Sequence, residues 1–254
     1  MPGSIIRDNA PTIAVETPIS PDPSLRPSYD LQAILWGLQP IQGTPAAEYL
    51  ASRLISLEMA GQCPIRYGPK IEYPAEGKDG PFTASLEAVV FGLRGKDGEF
   101  KAYQARNIRP KGPKFMTFKN EPDQRHNAVF ATVGAFEVEA PIIVEAPLDA
   151  LTLASCGFPA IATVGTQYAE WLVPFLALRP VILAHDADEA GDKAAAGMAA
   201  QLRELGADPR RLRPTGAKDW NDMAKAHGIE QLKELLKAAL TAKRVFSAPS
   251  KIQN

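Results

Sequence analysis

The stretch VILAHDADEAGDKAAAGMAAQLRELG, residues 181–206, decides the fold class of this 254-residue chain. Its first residues form an apolar run typical of a buried strand, and Asp186 and Asp188 follow directly. The residues after Asp188 repeat their apolar positions at helical spacing, and Gly206 stands where glycine commonly ends a helix. A strand that leads through an acidic turn into a helix is one unit of an α/β fold.

The same alternation of strand and helix covers the chain from Pro141 onward. Four strand-like runs are separated by helix-like segments: IIVEA (142–146), AIATVGT (160–166), VILAHDAD (181–188) and RLRPT (211–215). Short apolar strands that alternate with helices favour a parallel sheet covered by helices. We therefore predict an α/β domain here.

The upstream half has a different pattern, which predicts a smaller α+β subdomain. TPAAEYLASRLISLEMAG (44–61) has proline at the first position of a predicted helix, and EAVVFGLRGKDGEFKAYQARNI (87–108) has the pattern of a hairpin. The first residues combine proline, serine and charge without periodicity. The predicted division is a disordered segment (1–27), the α+β subdomain (28–138), the parallel-sheet domain (139–243) and a flexible tail (244–254).

Composition excludes several classes of protein. No apolar run approaches the roughly 18 to 20 residues needed to cross a bilayer, and the N-terminal residues lack the pattern of a secretory signal. The sequence therefore predicts a cytoplasmic protein without membrane contact. Cys63 and Cys156 lie far apart and outside any Cys/His cluster, so no zinc is expected.

Acidic residues follow the predicted strands of the parallel sheet. Glu145 ends the first, Asp186 and Asp188 end the third, and Asp219 follows the last. The carboxyl ends of parallel strands meet at one edge of a sheet, so these side chains are expected to converge. Gly165 and Thr166, after the second strand, form a turn of small residues that leaves room for a ligand or phosphate.

Clustered carboxylates need a compensating positive charge, because like charges a few ångströms apart do not all stay ionised. Oxygen ligands without a His/Cys cluster favour Mg²⁺ or Mn²⁺. Asp149 and Asp222 are further candidate ligands. Asp149 is equally explained by its position in the first turn of a predicted helix, where an acidic side chain is favourable. Asp222 is equally explained if Asn221 or Asp222 caps the following helix.

A basic segment precedes the acidic domain. Residues 94–119 contain eight lysines and arginines against Asp97 and Glu99. A basic surface beside a cation site is suited to binding a polyanion, although two solvated surfaces of different charge are the alternative. The basic residues are Arg94, Lys96, Lys101, Arg106, Arg109, Lys111, Lys114 and Lys119.

Residues 141–227 resemble the Toprim domain shared by primases, type IA and type II topoisomerases and certain nucleases. The resemblance rests on VEAPLDAL (144–151), VGT (164–166), HDAD (185–188) and KDWND (218–222), in the family's order. Ala146 and Pro147 follow the glutamate where the family usually has glycine. Proline restricts Ala146 to an extended conformation.

The upstream half is similar to the N-terminal subdomain of bacterial and phage primase cores, with Lys114 at the position of a lysine in the family's motif. The resemblance implies a primase that joins nucleoside triphosphates into a primer on single-stranded DNA. It implies that Asp186, Asp188 and Asp219 hold metal, with Glu145 as ligand or general base. Lys111, Lys114, Arg106 and Arg109 are the candidates for phosphate contacts.

Two other functions stay open at this point. A Toprim nuclease would use the same acidic cluster to activate water, and a non-catalytic nucleic-acid-binding accessory would only bind. We do not expect a topoisomerase, because it would need a tyrosine nucleophile in a separate large domain and the sequence is too short to hold one. Because the sequence resembles neither a zinc-binding domain nor a helicase, we expect a separate protein to supply either function.

Overall fold

The computed structural model of the chain describes residues 30–77, 80–119 and 127–242. These residues form two compact units, each with its own sheet. One contains the chain up to Tyr49 together with Pro64–Ala128, and the other contains Leu50–Cys63 together with the chain from Val129. The predicted disordered segment and tail lie outside the described residues, and the predicted boundary after residue 138 stays a prediction.

The first unit is built on a four-stranded antiparallel sheet in the order β1-β2-β3-β4. The strands are β1 (Ile65–Gly77), β2 (Gly80–Arg94), β3 (Phe100–Asn107) and β4 (Phe115–Lys119). The predicted hairpin is the β2–β3 pair, in which Val90 lies opposite Ala105. The sequence analysis did not predict β1, the strand before this pair.

Helix α1 (Leu31–Gly37) covers one face of this sheet. Asp30 begins the helix, because its carboxylate accepts a hydrogen bond from the Ala33 backbone N–H at 2.9 Å. Leu31 and Leu35 are buried against apolar side chains of β2 and β3, among them Val90 and Tyr103. The apolar face of this helix therefore forms part of the core of the first unit.

The helical region 44–61 consists of two helices, α2 (Pro45–Ser52) and α3 (Leu57–Gly61). Helix α2 begins at the predicted proline and α3 ends at the predicted glycine. Between them Leu54 has a left-handed backbone (φ 58), which a continuous helix does not allow. Ser56 then caps α3 by accepting a hydrogen bond from the Met59 N–H at 3.2 Å.

The second unit is an α/β sheet of five strands in the order β5-β7-β6-β8-β9. The strands are β5 (Phe130–Ala131), β6 (Ile142–Val144), β7 (Ala160–Ala162), β8 (Pro180–Leu183) and β9 (Asp208–Arg211). The neighbouring pairs among β6 to β9 are parallel, and β5 is antiparallel to β7. The predicted parallel sheet is confirmed.

Five helices accompany this sheet: α4 (Pro147–Ser155), α5 (Leu172–Phe175), α6 (Glu189–Glu204), α7 (Trp220–His227) and α8 (Ile229–Ala242). Met198 and Leu202 of α6 are buried in the same core as Ile143 and Leu183 of the central strands. Burial of this apolar face holds α6 against the sheet and so places the start of the helix beside the end of β8. Within the described residues, no helix is long and apolar enough to span a membrane.

The last strand differs from its prediction. It covers Asp208–Arg211, whereas the pattern pointed to residues 211–215. Strand β9 lies at the edge of the sheet, where Pro209 is tolerated because one side of the strand needs no ladder hydrogen bond. An edge strand of mainly charged residues has little of the apolar signal on which the prediction relied.

Candidate active site

Three acidic residues meet where the order of the parallel sheet reverses. The chain passes from β6 to β7 on one side and then to β8 on the other side, so β6 and β8 are neighbours with diverging connections. Glu145 directly follows β6, and Asp186 and Asp188 follow β8. Open α/β sheets bind ligands at such a switch point, outside the carboxyl ends of the strands.

Glu145 and Asp186 are in direct contact across this point. The backbone N–H of Asp186 donates to Glu145 Oε1 at 3.3 Å. Gly191, in the first turn of α6, packs against both residues. A Cβ atom at Gly191 would lie 2.4 Å from the carbonyl oxygen of Asp186 and 2.8 Å from Glu145 Oε1, so the position requires glycine.

Burial and neighbouring charges shift the pKa values of Asp186 and Glu145 upward. Burial and then the charges of Glu145, Asp219 and Asp188 raise the pKa of Asp186 to about 6. Burial also raises the pKa of Glu145, with a further contribution from Asp188. These carboxylates are therefore less readily ionised than isolated ones, and a cation placed among them would reverse the shift.

Asp188 is held by two partners outside the cluster. It begins α6 by accepting a hydrogen bond from the Gly191 N–H at 2.9 Å, and its other oxygen lies 3.0 Å from Lys218 Nζ. The Gly191 hydrogen bond and the Lys218 interaction lower the pKa of Asp188. The sequence analysis missed Lys218, although the lysine directly precedes Asp219 in the KDWND motif.

Arg211, at the end of β9, fixes the loop that carries these aspartates. Its Nη2 donates to Asp186 O and to Asp192 Oδ1, both at 2.8 Å, and its Nη1 donates to His185 O at 2.9 Å. Arg213 binds the same Asp192 at 3.1 Å. Asp192 thus anchors two arginines on this loop.

His185, directly before Asp186, supplies no positive charge at neutral pH. The side chain is buried, and its Nδ1 has no hydrogen-bond partner among the described residues. Burial and then the charge of Arg211 lower the pKa of His185 to about 4. The imidazole is therefore neutral above that pH.

The KDWND motif is placed by its tryptophan and asparagine. Trp220 is buried, and its Nε1–H donates to the carbonyl oxygen of Ala184 at 2.7 Å, which joins α7 to the end of β8. Asp219 begins α7 by accepting a hydrogen bond from the Asp222 N–H at 2.7 Å. The capping residue is therefore Asp219, and the predicted capping by Asn221 or Asp222 was wrong.

Asn221 makes several of the hydrogen bonds that hold this region together. The sequence had indicated it only as a candidate for helix capping. The Nδ2 group donates to Arg53 O at 2.8 Å and to Thr152 Oγ1 at 2.9 Å. Its Oδ1 accepts from Arg53 Nη1 at 3.1 Å, and its backbone N–H donates to Asp149 Oδ1 at 3.0 Å. Asn221 thereby ties α7 to α4 and to the loop after α2.

Asp149 lies in the first turn of α4 and is buried beneath the acidic cluster, with only 3% of its surface exposed. Burial, then Asp219 and Asp186, hold the pKa of Asp149 well above its usual range. Pro147 starts α4, and Ala146 before it is extended (φ −116, ψ 147), as the sequence predicts.

Asp149→Asn is expected to gain stability over the parent protein as the pH rises. Because the folded-state pKa exceeds the unfolded value of about 3.9, the contribution of Asp149 is fully present below that pH and is lost as the pH rises through the folded pKa. Asparagine keeps the acceptor for the Asn221 N–H without a charge. Urea unfolding with a chelator from pH 4 to 9 measures the difference in free energy of unfolding. A difference that does not change with pH would contradict the raised pKa, and the exposed Asp208→Asn is the control.

The remaining predicted residues of this unit are more exposed. Asp222 lies 3.9 Å from Arg53 and its side chain is 49% exposed. Gly165 and Thr166 lie in an exposed turn after β7. Gly165 has a left-handed backbone (φ 118), and its N–H donates to the carbonyl oxygen of Glu145 at 3.1 Å. The turn is therefore hydrogen-bonded to the backbone of Glu145 in the acidic cluster.

The predicted basic residues belong to the first unit, and the side chains of both Arg106 and Arg109 have partners there. Arg106 Nε donates to the Tyr49 hydroxyl at 3.1 Å. Arg109 Nε donates to Glu87 Oε2 at 2.6 Å, and Glu87 raises the pKa of Arg109. The Tyr67 hydroxyl donates to the other oxygen of Glu87 at 2.6 Å. A phosphate would compete with Glu87 for Arg109.

Lys111 and Lys114 lie in an exposed loop that Asn107 organises. The buried Asn107 side chain donates to the carbonyl oxygens of Lys111 at 2.7 Å and Pro113 at 3.1 Å, and accepts from the Arg109 N–H at 2.8 Å. The loop backbone is thus fixed, while both lysine side chains reach solvent. Sequence patterns alone did not single out Asn107.

The acidic residues are close but do not form a ready ligand set. Throughout the described part of the chain, no group of three or more His, Cys, Asp or Glu side chains is arranged to hold a metal ion. In this arrangement Asp188 and Asp219 each cap a helix, and Asp188 also pairs with Lys218. Metal coordination by Glu145, Asp186, Asp188 and Asp219 stays a prediction.

Family models match two parts of the chain. Residues 142–224 match a Toprim-like family, and residues 27–126 match a domain of unknown function. No curated protein sequence matches the chain. The Toprim resemblance seen in the sequence is therefore confirmed for residues 142–224.

Solved structures of primases share the fold. The Aquifex aeolicus primase, with its zinc-binding and RNA polymerase domains, matches with a TM-score of 0.61 and 22% identity over 79% of this chain, which spans 57% of that protein chain. A DnaG primase catalytic domain bound to ssDNA matches with a TM-score of 0.66 and 20% identity, over 83% of this chain and 76% of that one. The E. coli primase catalytic core matches with a TM-score of 0.61 and 20% identity, over 83% and 81%.

Proposed function

We propose that this chain, which carries a Toprim-like domain and has the fold of a primase catalytic core, synthesises primers on single-stranded DNA. The reaction would join nucleoside triphosphates with release of pyrophosphate. The observation that carries the proposal is the meeting of Glu145, Asp186 and Asp188 at the switch point of the sheet.

The residues fit a hard divalent cation. They offer carboxylate oxygens, which Mg²⁺ and Mn²⁺ prefer, and the pKa of Asp186 is raised to about 6 by burial and then by the negative charges around it. Glu145, Asp186 and Asp188 would hold the ion, with Asp219 beside them. When bound, the ion would orient triphosphate oxygens and stabilise the charge that develops at the α-phosphorus.

Glu145 is suited to accept the proton of the primer 3′-hydroxyl. Glu145 is partly buried at the end of β6, and its carboxylate, where it is not itself a ligand of the ion, would act as the general base. The hydrogen bond from the Asp186 N–H holds one carboxylate oxygen in place. The hydroxyl oxygen would then attack the α-phosphorus, and the bond to pyrophosphate would break.

Template phosphates would bind the basic residues of the first unit. Lys111 and Lys114 are the strongest candidates, because their side chains are exposed on a loop whose backbone is fixed. Arg106 and Arg109 would contribute after exchange of their tyrosine and glutamate partners. Such contacts position a strand without reading its sequence.

The proposal includes partners and a place in the cell. A separate helicase or zinc-binding protein would supply strand separation or template selection, and priming would take place in the cytoplasm.

Incubation of the protein with a single-stranded template, labelled nucleoside triphosphates and Mg²⁺ or Mn²⁺ tests the proposed activity. We expect short labelled products that require template, triphosphates and divalent ion together. Shortened template without new products would identify a nuclease, and a shifted but intact template would identify a binding protein. Either of these two outcomes would overturn the proposal.

A further inference from the structure

The ammonium group of Lys218 lies beside the acidic cluster. Its Nζ lies 3.0 Å from Asp188 Oδ2. The hydrogen bond and the charge of Asp188 raise the pKa of Lys218, and the charges of Asp186 and Asp219 add to the effect. Lys218 therefore carries part of the positive charge that the cluster requires.

The backbone of Lys218 is fixed while its side chain is exposed. The Ala187 N–H, between the two aspartates, donates to the Lys218 carbonyl oxygen at 2.7 Å. The side chain itself is 62% exposed, so the ammonium group can leave Asp188 without disturbing the core. An ion pair with this exposure is weak and is readily exchanged.

Within the described residues, the side chains of Arg211, Arg213 and His185, also near the cluster, do not pair with Asp188. Arg211 binds backbone carbonyls and Asp192, and Arg213 binds Asp192 and the carbonyl oxygen of Ala187. The buried His185 is neutral, since its pKa is about 4. Among these groups, Lys218 is thus the cation whose side chain pairs with Asp188, a predicted ligand of the metal.

We propose that Lys218 is an internal competitor of the divalent ion, which occupies Asp188 until the ion displaces it. This inference rests on the proposed metal-dependent function of the same site. Binding of the ion would break the Lys218–Asp188 pair and turn the Asp188 carboxylate oxygen toward Glu145 and Asp186. Lys218 would therefore raise the concentration of Mg²⁺ or Mn²⁺ that the protein needs.

Mn²⁺ binding to the protein without nucleotide or template tests this role. The electron paramagnetic resonance signal of free Mn²⁺ gives the affinity directly, independently of activity. Lys218→Met should bind Mn²⁺ about two- to five-fold more tightly than the parent protein, because the competing exposed ion pair is gone. Lys218→Arg keeps the charge and should bind with the parent affinity or more weakly.

Lys237→Met is the matched control, since it removes one exposed lysine that pairs with Glu234 on α8. It should leave the affinity unchanged. Equal or weaker Mn²⁺ binding by Lys218→Met, with tight binding by the parent protein, would overturn the role of Lys218 alone. Absence of Mn²⁺ binding by the parent protein would instead overturn the proposed metal site.

Discussion

Asp186→Asn together with Asp188→Asn should lower primer synthesis by roughly a thousandfold or more, which corresponds to about 4 kcal/mol of transition-state stabilisation. The two substitutions remove two of the three carboxylates at the switch point of the sheet. Asparagine preserves side-chain size and remains able to cap α6 at position 188. The rate of labelled primer formation at saturating Mg²⁺ measures the effect.

The same double variant separates loss of chemistry from loss of fold. Burial and then the neighbouring negative charges raise the pKa of Asp186, so a neutral side chain at that position avoids both the desolvation of a charge and the repulsion. We therefore expect the thermal stability of the variant, measured with a chelator present, to equal or exceed that of the parent protein. Asp208→Asn, an exposed acid on β9, should retain full activity. Undiminished synthesis by the double variant would refute the metal site.

Trp220→Ala should reduce the free energy of unfolding of the second unit by about 4 kcal/mol. Trp220 is only 2% exposed and is the largest fully buried side chain among the described residues. Its removal leaves a cavity beneath α7 and also deprives the carbonyl oxygen of Ala184 of its 2.7 Å hydrogen bond. Urea unfolding followed by circular dichroism gives the loss.

Trp220→Phe separates the contribution of the apolar volume to this loss from that of the hydrogen bond. Phenylalanine retains most of the apolar volume but lacks the indole N–H, so we expect a smaller loss of about 2 kcal/mol. Because Trp220 follows Asp219 and precedes Asn221, both variants should weaken Mn²⁺ binding as well as stability. Equal stability of the alanine variant and the parent protein would show that α7 is not held in this way.

The central strands and their acids were predictable, whereas the edges of both sheets were not. Strands β6 and β8 are short and apolar. Glu145 directly follows β6 and Asp186 comes shortly after β8, so composition and order indicate their place. Strand β9 carries charged residues because one of its sides faces no neighbouring strand. Strand β1 contains Pro74 and several polar residues, and its length is set by pairing with β2.

The acidic cluster was predicted in outline, but its partners were not. A pattern of strand ends brings Glu145, Asp186 and Asp188 together, since parallel topology alone requires it. The contact of Lys218 with Asp188 depends on a loop that returns from β9 to the end of β8. Pairings between residues distant in sequence are set by this tertiary path, and residue type gives no signal of them.

Arg211 lowers the entropic cost of binding a ligand at this site. Its guanidinium group, together with Asp192, already holds the backbone at the end of β8, where the candidate ligands begin. Ordering a loop upon binding consumes conformational entropy and so weakens affinity. Here that ordering is completed during folding, and only the carboxylate rotamers and the lysine at position 218 remain to adjust.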